Sequence, residues 1–143
     1  MVSDQRRREV EAFIQGAGDW ATSRADLVAA VIVGSWARGA AREDSDVDLV
    51  LLTHDPATYT EREDWIGQLA PGASLLRTAD WGAIVERRLL FPSALEVEVG
   101  IGRPSWAEAA PVDPGTRRGV GDGLRPIFVP QGLLAALAAA CAT

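Results

Sequence analysis

The chain has 143 residues, 48% hydrophobic and 24% charged, which is enough to bury one core, so a single domain over residues 1–143 is expected. Net charge is −6 and all fourteen basic residues are arginine, which argues against an extended nucleic-acid footprint and leaves no lysine for Schiff-base or Walker-A chemistry. One cysteine, Cys141, excludes an internal disulfide, and one histidine, His54, leaves no His/Cys zinc cluster. No apolar run approaches the roughly 20 residues that cross a bilayer, and Arg6-Arg7-Arg8 precedes a polar helix, so no membrane role and a cytoplasmic location are expected.

In chain order, residues 4–15 read as an amphipathic helix with Val10, Phe13 and Ile14 inward, ended by Gly16-Ala17-Gly18. Leu27 to Val33 is an unbroken apolar run, the mark of a strand buried on both faces. It stops at Gly34-Ser35, where glycine permits a sharp turn and close approach of a ligand to the backbone. A short helix over Trp36 to Ala41 is expected next, its first amides pointing outward as an anion site.

A second strand begins at Asp46-Val47-Asp48 and continues through Leu52. Strand alternation puts Asp46 and Asp48 on one face and Val47, Leu49 and Leu51 on the other. Two carboxylates side by side on a half-buried face repel, and a divalent cation between them relieves the cost. A calcium loop opening at Asp44 would need glycine at its sixth position and glutamate at its twelfth, where the chain has Leu49 and Asp55.

Gly34-Ser35, ten intervening residues and Asp46-x-Asp48, with Ala37-Arg38-Gly39 and Ser45 in place, resemble the signature of the DNA polymerase β-like nucleotidyltransferase superfamily. The nearest likeness is to its small branch of minimal nucleotidyltransferases and antibiotic adenylyltransferase catalytic domains. The resemblance implies an α+β fold, a mixed β-sheet flanked by helices. It also implies a magnesium-dependent enzyme that transfers a nucleoside monophosphate, AMP from ATP by default, to a hydroxyl with release of pyrophosphate.

In that reading Gly34, Ser35, Arg38 and Ser45 hold the triphosphate, while Asp46 and Asp48 hold magnesium, with two ions during turnover. The acceptor is a small hydroxylated molecule or a partner protein. Antibiotic adenylyltransferases close over the acceptor with a further helical domain for which 143 residues leave no room, so a homodimer or a hetero-partner could complete the cleft. The alternative is a non-catalytic, antitoxin-like nucleotide- or partner-binding module that keeps the fold.

Asp55-Pro56 starts a helix expected to run to about Leu69, with Tyr59, Trp65 and Leu69 inward. Strands follow over Ser74–Thr78 and Ala83–Phe91; Glu86 or Arg88 would face the cleft in the family reading, or both would lie on a solvated edge strand. Leu95 to Ile101 alternates, which puts Leu95, Val97, Val99 and Ile101 in the core and Glu96 and Glu98 on the opposite face. The superfamily carries a third carboxylate on such a strand; Glu98 is the first choice and Glu96 the second, as metal ligand or as general base. A short helix from Pro104, a turn-rich segment over 111–123, an edge strand over 124–129 broken by Pro126, and a helix over 131–140 complete the expectation.

Overall fold

The computed structural model describes residues 2–37, 39–105 and 124–128. Arg38, the 111–123 segment and the 131–140 helix with Cys141 lie outside the described residues, as does most of the helix expected from Pro104.

The chain opens with α1, Asp4–Thr22, capped by the Ser3 hydroxyl, which accepts from the Arg6 amide. This helix runs well past the expected stop at Gly16-Ala17-Gly18. Its apolar stripe continues through Ala17, Trp20 and Ala21, all buried, and their burial outweighs the roughly 1 kcal/mol that each mid-helix glycine costs.

Among the described residues six strands form one mixed sheet: β1 Leu27–Val33, β2 Val47–Thr53, β3 Ser74–Asp80, β4 Ile84–Leu90, β5 Glu96–Gly102 and β6 Leu124–Phe128. Their order is β3-β4-β5-β2-β1-β6, antiparallel throughout except for β2 beside β5. β1 and β2 sit inside the sheet and are buried along nearly their whole length, as the unbroken apolar runs predict. β6 lies at the edge beyond β1, where Pro126 is tolerated. β4 is not an edge strand, because β3 covers its outer side.

One face of the sheet packs on the helices, burying Ile32, Leu49, Leu51, Leu89, Val97, Val99 and Ile101 with Val10, Ile14 and Trp20. Here the single helix expected over 55–69 is two: α2, Ala57–Thr60, and α3, Asp64–Leu69. The break has a cause on β4. Arg87 is buried, and its Nη1 donates to the carbonyls of Tyr59 at 2.9 Å and Arg62 at 2.8 Å. A guanidinium thus satisfies carbonyls that a continuous helix would have satisfied itself. Trp20, Tyr59 and Trp65 fill the space beneath, with Tyr59 and Trp65 edge to face at 5.4 Å.

Candidate active site

The opposite face of the sheet carries a cluster of charged side chains. At the end of β1, Gly34 has φ +78°, and a β-carbon built on it would stand 2.5 Å from Asp48 Oδ2. Glycine is therefore required twice over, for the turn and for the carboxylate packed against its backbone. Ser35 and Trp36 follow in turns, not in the short helix expected over 36–41. The Ala37 amide bonds the Gly34 carbonyl and the Ala40 amide the Ser35 carbonyl, and Gly39 at φ +72° breaks any helical continuation.

The loop then turns back through residues 42–45, where Ser45 Oγ accepts from the Arg42 amide at 2.8 Å, and leads Asp46 into β2. Ser45 thus closes the turn ahead of the aspartates. Glu43 anchors this loop to the start of α1 by accepting from the Ser3 amide at 2.7 Å and from its hydroxyl. The backbone bond from Ser3 is the main reason that the Glu43 carboxyl is held below its ordinary range. Arg6 joins the same corner through Glu9 and the Ser93 carbonyl.

β2 and β5 run parallel with Asp48 opposite Glu98, and β5 and β4 run antiparallel with Glu98 opposite Arg88. Alternation then places Asp46, Asp48, Glu86, Arg88, Glu96 and Glu98 on one face. Arg88 is the hub. Its Nη1 lies 2.8 Å from Asp46 Oδ2 and 3.3 Å from Glu96 Oε1, and its Nη2 lies 3.2 Å from Glu98 Oε2. The Asp46 bond, more than any other contact, fixes the guanidinium in its charged form.

One arginine does not neutralise five carboxylates. Glu98 is pushed up to about 8, first by burial and then by its hydrogen bond with Glu86 and the charge there. Burial also raises Asp48, with the Asp46 charge adding to the effect and a hydrogen bond from Glu98 opposing it. The strand arrangement predicted from sequence thus brings Asp46, Asp48 and Glu98 onto one face beside the Gly34-Ser35 turn, with Glu96 flanking them.

Sequence reasoning left Glu86 and Arg88 as alternatives; both face the cluster. The available signal was that Glu86 and Arg88 stand two apart in the strand and so share a face. His54 lies in an exposed loop, where its carbonyl accepts from Arg103.

The donor set suits a divalent cation in kind: hard carboxylate oxygens, crowded, partly desolvated and short of positive charge. Its present arrangement is different. Among the described residues no three such side chains are gathered at ligand distance, because the oxygens fan around the Arg88 guanidinium instead.

Residues 21–88 match the family model of the nucleotidyltransferase domain. No curated protein sequence matches the chain. Among solved structures, the poly(U) polymerase Cid1, determined with the UTP analogue UMPNPP, is 21% identical with a TM-score of 0.52, over 70% of this chain and 31% of Cid1. A cytoplasmic RNA terminal U-transferase is 22% identical with a TM-score of 0.53, over 70% of this chain and 30% of that one. The chain thus spans under a third of the length of these structures, and likeness at this level is a likeness of fold. The Gly34-Ser35 turn and both aspartates fall inside the segment that matches the nucleotidyltransferase domain, and the sheet that carries them is similar in fold to that of these structures.

Proposed function

We propose that the chain is a nucleotidyltransferase that moves a nucleoside monophosphate, AMP from ATP, onto a hydroxyl of a small molecule or a partner protein and releases pyrophosphate. The observation that carries the reading is the in-register pairing of Asp48 with Glu98, with Asp46 on the same face, at the mouth of the Gly34-Ser35 turn. Such a cluster is costly to a fold and rational only where positive charge is brought to it.

In this mechanism the Gly34 turn and the Ser35 hydroxyl bind the β- and γ-phosphates, with Arg38 as their further partner. Asp46, Asp48 and Glu98 would hold magnesium, which supplies charge neutralisation of the triphosphate and activation of the acceptor oxygen. Asp46 and Asp48 would act on the α-phosphate only through that ion, and the acceptor hydroxyl attacks the α-phosphorus in line with the pyrophosphate leaving group. In the alternative role for the third carboxylate, Glu98 takes the proton of that hydroxyl as general base instead of holding the metal.

The experiment is transfer of label from each of the four α-labelled nucleoside triphosphates, with magnesium, to a panel of hydroxylated small molecules, to the purified chain itself and to candidate partner proteins. Label transfer that disappears in Asp48→Asn supports the reading, and the preferred triphosphate names the donor. UTP is the competing donor to ATP, since Cid1 was solved with a UTP analogue. Nucleotide binding without transfer to any acceptor would favour the non-catalytic module.

A further inference from the structure

A cation already stands among the carboxylates, and it belongs to the chain. Arg88 hydrogen-bonds Asp46 and Glu96 and forms an ion pair with Glu98, and since Asp46 and Glu98 are ligands assigned to magnesium above, the inference rests on that reading. Each oxygen that accepts from the guanidinium has a lone pair committed to it. A guanidinium also spreads its charge over a plane with nitrogen-to-oxygen distances here of 2.8–3.3 Å, whereas magnesium draws oxygens to about 2.1 Å. The guanidinium and a divalent ion therefore compete for the same carboxylates.

The two adjacent arginines of β4 differ in how they are held. Arg87 is locked to backbone carbonyls, which cannot leave. Arg88 is bonded only to carboxylate side chains, and its Nε–H is buried with no acceptor among the described residues. A buried donor left unsatisfied costs free energy in this pose and is recovered if the head group turns.

We propose that Arg88 is an internal counter-cation that occupies the metal's place in the resting site and must be displaced for a divalent ion to bind. The opposing possibility is that Arg88 permanently braces the ligand carboxylates. The two predict opposite signs. Removing a competing positive charge a few ångströms away should tighten metal binding, while removing a brace should weaken it.

The test uses the full-length protein and Mn2+ alone, with free ion read by electron paramagnetic resonance, in wild type, Arg88→Gln, Arg88→Lys and Asp48→Asn. Arg88→Gln should bind Mn2+ about tenfold tighter or more than wild type. Arg88→Lys, which keeps the charge, should stay near wild type, and Asp48→Asn should lose the site. Metal-free Arg88→Gln should melt below wild type, and saturating Mn2+ should close the gap.

Wild-type binding with equal or weaker binding in Arg88→Gln would overturn the proposal and leave the metal reading standing. No binding in either protein would overturn both. Should Arg88→Gln not fold, 15N-arginine spectra of the wild type decide: Mg2+ must shift the Arg88 Nε–H resonance, and an unmoved resonance at saturation would overturn the displacement.

Discussion

The carboxylate of Asp48 lies where a side chain on residue 34 would have to be, with Oδ2 2.5 Å from the place of a β-carbon on Gly34. Two segments of the signature, the turn after β1 and the start of β2, are therefore one packed unit. Gly34→Ala should cost about 1 to 3 kcal/mol from the left-handed backbone and the clash together. It should also push Asp48 off its position, which weakens nucleotide and metal binding beyond the loss of stability. Urea denaturation and a metal titration check the two parts; an unchanged unfolding midpoint would refute the packing argument.

Asp48→Asn separates folding from chemistry. Asp48 is raised by burial and sits near Asp46, so removing its charge relieves a cost in the metal-free protein. The variant should melt at or above the wild-type temperature without metal while label transfer is lost. A variant that melts well below wild type would mean that Asp48 is structural first.

The metal-free protein should become less stable as pH rises. The folded-state value of Glu98, about 8, lies above its ordinary 4.5, so the folded state binds this proton more tightly than the unfolded chain. The stability it contributes is complete below about 4.5 and is lost as pH climbs through about 8; Asp48 shifts in the same direction. Melting curves in chelator between about pH 5 and about pH 8 should therefore fall. A profile that rises across this window contradicts the assignment.

Arg87→Met tests the support under the site. It would leave the carbonyls of Tyr59 and Arg62 without their donor in a buried place, at about 2 to 5 kcal/mol. Arg87→Lys should recover little, since one ammonium lacks the fork that reaches both carbonyls and Thr78. Chemical denaturation of the three proteins gives the answer; a loss under 1 kcal/mol in Arg87→Met would show that water replaces the guanidinium.

Much of this was legible before the structure, and the reason differs by element. Leu27 to Val33 and the alternation from Leu95 to Ile101 are local patterns, and burial follows from them directly. The faces of Asp46, Asp48 and Glu98 were legible for the same reason. Register was not: Asp48 lies opposite Glu98 and not Glu96 because of a parallel pairing between segments far apart in the chain.

The extent of α1 was misjudged at Gly16-Ala17-Gly18 because propensity is local and the burial of Trp20 and Ala21 is tertiary. The split of α2 from α3 was hidden likewise, its cause being an arginine on a strand that comes later. The hub role of Arg88 depends on Asp46, 42 residues away, and no window along the sequence contains both.

The two strand pairings also differ in the length of chain each must close. β4 and β5 are joined by a short turn, so Arg88 meets Glu96, eight residues on, with little loop entropy to overcome. β2 must arrive beside β5 from across the intervening helices and hairpin, and it brings Asp46 and Asp48 with it. A pairing order set by loop length would put the positive charge of Arg88 beside Glu96 before Asp46 and Asp48 dock.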